Sequence, residues 1–189
     1  MSKKLSGMTL EELWQLFPII LEEHKNYWSD WFEKEAVNLK KILPKTAMIS
    51  HIGSTAVSNI WAKPIVDILV EIESGMDNVK DILINNGYIC MSEDINRMSL
   101  NKGYTENGFA ERVFHLHLRY MGDNDEIYFR DYLIGNPGIA KEYEMLKLGL
   151  WKQFEHNRDE YTNQKTEFVR KYTEIAKEQE RWSIQWRNE

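Results

Sequence analysis

The run from His51 to Glu71, HIGSTAVSNIWAKPIVDILVE, constrains this chain more than any other stretch. A Gly-Ser pair closes one apolar segment, and an acidic residue stands inside the next. Gly53 lets the backbone approach a ligand closely, because no Cβ stands in the way. Ser54 is expected to cap a following helix, whose free N–H groups would make an anion site. Asp67 lies in Pro64-Ile-Val-Asp-Ile-Leu-Val70, which is otherwise wholly apolar. A carboxylate there is costly unless it is paired, hydrogen-bonded or bound to a metal. A phosphate cradle followed by a buried carboxylate is the layout of a site that handles a nucleotide with a divalent cation.

Strand residues alternate faces with a period of two. Val66, Ile68 and Val70 therefore share one face of their strand, and Asp67, Leu69 and Glu71 share the other. In Phe114-His-Leu-His-Leu-Arg119, the apolar residues take one face and His115, His117 and Arg119 take the other. If the two strands are neighbours, Asp67, Glu71, His115 and His117 converge within reach of one cation. Carboxylate oxygens suit Mg²⁺ or Mn²⁺, while imidazole moves the preference toward Mn²⁺ or Zn²⁺. Blander readings stand beside these: His-x-His as an exposed sheet face, and Asp67 as a carboxylate that ties down a neighbouring loop.

The remaining pattern predicts an α+β fold, a mixed β-sheet of about five strands flanked by helices. Thr9-Leu-Glu-Glu12 matches a capping box ahead of a short helix that Pro18 interrupts. A second amphipathic helix runs from about Tyr27 to Leu43 and stops at Pro44. Strands are expected at 47–52, 65–72, 88–91, 97–101 and 113–120, with a helix at 76–86 closed by Gly87. The turn-rich segment Asn101–Gly108 is expected to separate the last two strands. From Asp125 onward the chain reads as helical, with breaks at Pro137-Gly138 and near Asn157.

With no repeat or linker in its 189 residues, the whole of 1–189 reads as one domain. A formal charge of -6 argues against a dedicated nucleic-acid binder, which would show a basic face. The single cysteine, Cys90, excludes an intrachain disulfide and reads as a small buried residue. No apolar stretch approaches membrane-spanning length, and the Met1-Ser-Lys-Lys start carries no signal-like core. The expected setting is the cytoplasm, with no membrane partner.

The block His51-Ile-Gly-Ser-Thr-Ala-Val57 followed by Ala62-Lys-Pro-Ile-Val-Asp-Ile68 resembles the signature of the GrpB family. Later pieces agree: His115-Leu-His117, Phe129-Arg-Asp-Tyr-Leu133, Tyr143-Glu-Met-Leu-Lys147 and Tyr161-Thr-Asn-Gln-Lys165. Family members resemble the nucleotidyltransferase superfamily, in which a Gly-Ser turn holds a triphosphate and paired carboxylates in the next strand hold the metal. The resemblance implies phosphate binding by Gly53 and Ser54. It also implies Mg²⁺ or Mn²⁺ on Asp67, with Glu71, His115 or His117 completing the set. Lys63, Arg112 and Lys147 are further candidates for phosphate contacts, and Arg119 and Arg130 stand behind them. The ligand implied is a nucleotide or other phosphorylated small molecule, and the reaction is nucleotidyl transfer.

Two features depart from the pattern. The superfamily needs two acidic residues one apart, but Asp67-Ile-Leu69 supplies only the first. Glu71 lies two residues further on, roughly 6–7 Å by strand rise. Val57-Ser-Asn-Ile60 stands where family members commonly carry Pro-Gly, a loop variation. In each Tyr-x-x-x-Lys pair, Tyr143/Lys147 and Tyr161/Lys165, the lysine is expected beside its tyrosine on a helix. Either it reaches a phosphate, or it snorkels outward while the tyrosine packs in the core. The competing class of function is a non-catalytic accessory module, like the GrpB-type domain fused to dephospho-CoA kinase. It would use a protein partner and apolar helix faces such as Leu10, Trp14 and Phe17.

Overall fold

The computed structural model describes residues 4–187, with side chains through Trp182. The Met1-Ser2-Lys3 start and the last two residues of the 1–189 span lie outside the described residues. Five strands form one mixed sheet: β1 (Met48–Ile52), β2 (Val66–Ile72), β3 (Ile89–Glu93), β4 (Arg97–Thr105) and β5 (Gly108–Tyr120), in the order β1-β2-β5-β4-β3. The β2–β5 pair is parallel and the other three are antiparallel. That one parallel pairing matters most, because its register sets Asp67 against His115 and Leu69 against His117.

One face of the sheet is closed by two amphipathic helices, α2 (Tyr27–Ile42) and α3 (Met76–Asn85). Trp28 and Leu39 of α2, with Met76, Val79 and Leu83 of α3, pack onto Val66, Ile68, Val70, Leu116 and Leu118. Burying each of these aliphatic side chains stabilises the fold by about 1.5–3 kcal/mol. Glu35 is drawn into the edge of this layer because it is fully used: Tyr88 and Lys102 both donate to its Oε1 at 2.8 Å.

The opposite face is covered by α4 (Asp125–Gly135), α5 (Pro137–Phe154), α6 (Arg158–Asn163) and α7 (Thr166–Arg187). Pro137 opens α5, where its missing N–H costs nothing. Asn157 accepts from the Glu160 N–H and so starts α6. Two satellite cores join these helices to the loops around Val57 and Ile60, and to Ile19 and Leu21. No helix among the described residues is long and apolar enough to cross a membrane.

Three local expectations need correction. Asn101–Gly108 is mostly strand rather than turn. Gly103 sits at the bulge where β4 slips against β5, at φ +92°, where a Cβ would lie 2.3 Å from the Arg112 carbonyl oxygen. The glycine marks a close backbone approach inside a hairpin whose turn comes later. Cys90 is only half-buried, since β3 is an edge strand. The capping box at Thr9 forms, but the helix it starts, α1 (Leu10–Leu16), holds no fully buried residue. Leu10 is exposed, whereas Phe17 is buried against Tyr104 and Phe109, so the three residues named for a docking face do not form one.

Candidate functional site: a cationic cleft above Asp67

Between the helical layer and the sheet lies a cleft of about 730 Å³, floored by the end of β1, the start of β2 and His115 and His117 within β5. Its tightest point is where Gly53 passes Asp67. Ile52 pairs with Asp67 across the β1–β2 ladder, and the chain then turns at Gly53 with φ +70°. A Cβ built there would stand 2.2 Å from Asp67 Oδ2. Glycine is therefore required twice, by the dihedral and by the carboxylate beside it.

Ser54 does not cap a helix. The turn it opens, Ser54–Ala56, is a single 3₁₀ turn without a side-chain cap, so no helix N-terminus is present to hold an anion. Its Oγ instead accepts a hydrogen bond from Lys147 Nζ at 3.0 Å. His51 bonds Thr55, stacks on Phe32, and is driven down to about 4 by burial; it braces the turn as a neutral ring.

Asp67 keeps 27% of its side chain open to the cleft and takes its partners from β5. His115 Nδ1 lies 3.3 Å and His117 Nε2 3.8 Å from Asp67 Oδ1. Burial works to raise the Asp67 pKa, but the two histidines against Oδ1 overcome it and hold the carboxyl well below its usual range. Burial pushes His115 down to about 4, so its ring is neutral at pH 7. Its surroundings select one tautomer, with Nδ1–H facing the Asp67 carboxylate. Nε2 then accepts from the Tyr104 hydroxyl at 2.8 Å, with Arg158 Nη2 at 3.4 Å.

The lysines decide the character of the cleft. Lys147 on α5 is 2% exposed, with its ammonium over the Tyr143 ring and bonded to Ser54 Oγ and the Trp61 carbonyl. Lys63 is carried by the loop before β2, which a bridge between Glu22 and Ala62 pins in place. Lys63 and Lys165 share one aromatic ring, their ammoniums 5.6 and 4.2 Å from the centroid of Tyr161. Burial lowers Lys63 to about 7 and Lys147 to about 7, and it lowers Lys165 to about 8; neighbouring cations add to each shift. The outward-snorkelling reading of both tyrosine–lysine pairs is thereby overturned. Nor does Lys165 share a helix with Tyr161, because it sits in the break between α6 and α7. Among the described residues, Lys63, Lys147, Lys165 and Arg158 form no ion pair within 4.0 Å.

Other expected site residues lie elsewhere. Glu71 faces the same way as Asp67 but is 2% exposed, and its Oε1 accepts from the Gly122 N–H at 3.0 Å and Asn124 Nδ2 at 3.2 Å. It ties down the loop after β5 and does not line the cleft. Arg112 is exposed on the far part of β5. Arg119 is buried on the Met98 and Leu118 carbonyls. Arg130 lines the cleft while donating to the His51 carbonyl and pairing with Asp131 in mid-helix. Among the described residues no three His, Cys, Asp or Glu side chains are placed to hold a metal ion. The four-ligand set Asp67, Glu71, His115 and His117 does not assemble, and the donors present do not fit a two-carboxylate Mg²⁺ or Mn²⁺ site.

Comparison with known proteins gives the lineage. The family model described as GrpB protein matches residues 18–175. The chain belongs to the GrpB family. It is 38% identical over 160 residues to the glutamate-rich protein GrpB of Alkalihalophilus pseudofirmus, covering 80% of this chain and 91% of that one. The crystal structure of GrpB from Enterococcus faecalis matches with a TM-score of 0.72 at 34% identity, over 83% of this chain and 96% of that one. The Cid1 poly(U) polymerase with MgATP matches 69% of this chain and 43% of its own at 15% identity and a TM-score of 0.49, too distant to carry a role across. The span matched by the GrpB model takes in the cleft residues from Gly53 to Lys165 and leaves out α1.

Arg158 and Tyr104 went unnoticed in the sequence. Asn157 reads as a junction, but nothing in the sequence says that the next residue turns toward the end of β5.

Proposed function

We propose that this GrpB-family chain binds a nucleotide or another phosphorylated small molecule in the cleft above Asp67. The observation that carries this reading is the concentration of cations. Eight Lys or Arg residues line the cleft against four Asp or Glu, in a chain whose overall charge is -6. A buried Lys147 and half-buried Lys63 and Lys165 left without ion-pair partners are costly, and the ordinary compensation is an anionic ligand. Phosphate suits the donors: Lys63, Lys147 and Lys165 as point charges, and Arg158 as a planar fork. Phe129, Leu133 and Val169 provide an apolar stretch further along the cleft, suited to a base or a sugar.

Nucleotidyl transfer is the reaction that the family resemblance implies. Its usual paired carboxylates are missing, so the geometry favours binding and orientation over metal-held chemistry. The test is a thermal-shift screen of nucleoside triphosphates, diphosphates and sugar phosphates against the wild type and Lys147→Met. A ligand at about 100 times its dissociation constant adds roughly 2.7 kcal/mol. The reading expects a raised midpoint in the wild type that is strongly reduced in the variant. A screen with no shift, coupled with capture of a protein partner at this face, would move the assignment to an accessory module.

A further inference from the structure

We propose that the cleft takes a di- or triphosphate group free of divalent metal, its charge met by Lys63, Lys147, Lys165 and Arg158; this rests on the function proposed above. Metal-held phosphate sites supply clustered carboxylates, because a divalent ion needs anionic oxygens to replace its water. This cleft reverses that composition. Asp67 is the one carboxylate at its floor, and His115 and His117 both stand against its Oδ1. A divalent ion would be left with Oδ2, beside the Gly53 turn, and no three His, Cys, Asp or Glu side chains among the described residues are placed to complete its shell. It would also sit among four cationic side chains, where Lys165 and Arg158 add to the lowering that burial imposes on Lys63, Lys165 to that of Lys147, and Arg158 to that of Lys165.

Charge matching points to the class of ligand. An uncomplexed diphosphate or triphosphate carries about three to four negative charges at neutral pH, since secondary phosphate groups titrate near 6. Complexation with Mg²⁺ removes two of them. Four cations over one carboxylate complement the uncomplexed group and overcompensate the complexed one. A single phosphate carries about 1.5 to 2 negative charges and would leave part of the charge of the Lys147–Ser54 and Lys63–Lys165 pairs unmet. A chain of two or three phosphates along the cleft distributes its charge over both.

The experiment is a calorimetric titration of the full chain with pyrophosphate and with ATP, each in EDTA and in excess Mg²⁺. Lys63→Met and Lys165→Met serve as separate variants, with folding verified by circular dichroism. The expected result is binding in EDTA at least as tight as in Mg²⁺, weakened tenfold or more in each variant. Binding that requires Mg²⁺ would overturn this inference and leave the proposed function standing. Metal-free binding that both folded variants retain in full would also overturn it, by placing the anion elsewhere. Absence of binding under either condition would remove the proposed function and the inference with it.

Discussion

Asp67 and Glu71 stand on the same face of β2, and the molecule puts them to opposite uses. At the C-terminal end of the strand Glu71 is enclosed, and it is satisfied by the Gly122 N–H and Asn124. At the N-terminal end Asp67 is open on one side, braced by two histidines and overlooked by cations without ion-pair partners. One end closes a loop, while the other leaves electrostatic energy unspent. Strand alternation sorts side chains between two faces, but it does not say what stands over each face. Here α4 and the loop at Gly122 close over Glu71, and α5 with the α6–α7 junction stands back from Asp67.

The contrast can be broken at its strongest point first. Gly53→Ala drives a Cβ into Asp67 Oδ2 and imposes a left-handed dihedral on alanine. The expected cost is about 3 kcal/mol or more in chemical denaturation, together with loss of ligand binding. A variant as stable as the wild type would mean that the turn and Asp67 are not in contact.

Glu71 comes next. Glu71→Ala strands the Gly122 N–H and is expected to cost about 2 kcal/mol. Glu71→Gln keeps an acceptor at Oε1 and should stay within about 1 kcal/mol of the wild type. Neither is expected to change ATP affinity in a titration. A folded Glu71→Gln protein that lost binding would restore Glu71 to the site.

Lys165→Met sharpens the other side of the comparison. Burial works against the Lys165 ammonium in the empty cleft, so removing it should raise the melting midpoint of the ligand-free protein by about 1–3 °C while weakening ligand binding. A variant that loses stability instead would make the lysine structural.

The smallest effect expected is in pH dependence without ligand. The folded-state pKa values of Lys63, Lys147 and Lys165 lie near 7 to 8, below the ordinary lysine value of 10.5. Between those limits the unfolded chain binds more protons than the folded one, so these groups make stability rise with pH across that window. Denaturation midpoints at pH 7 and pH 9 test the sign, and the slope should flatten in Lys165→Met.

Most of the fold was legible because its elements carry strong local signals. The apolar run 64–70, the stops at Pro44 and Gly87, and the alternation around His115 each depend only on neighbouring residues. Asp67, His115 and His117 were legible together because β2 and β5 happen to be adjacent and in register. The hairpin beyond Asn101 is not legible from sequence, since Gly103 has the same appearance in a turn and at a bulge. Lys147, Lys165 and Arg158 were the hard part of the site. A lysine on an amphipathic helix is ordinarily a solvated residue, and only the docking of α5, α6 and α7 over the sheet decides that these point inward. Glu71 misled for the complementary reason: its partners, Gly122 and Asn124, come from a loop that no periodicity links to β2.

Whether the ammonium groups of the cleft hold an anion is tested most directly by ATP affinity as a function of pH from about 7.5 to 9.5, measured by titration in EDTA. ATP gains only a little negative charge over that range, which would strengthen binding, so a fall in affinity reports the protein. Lysines that titrate near 7 to 8 in the empty cleft must take up protons when the phosphates bind, and affinity should fall by tenfold or more as pH rises. Affinity that is flat or rises across the range would contradict the account, because the cations would then have no part in holding the ligand.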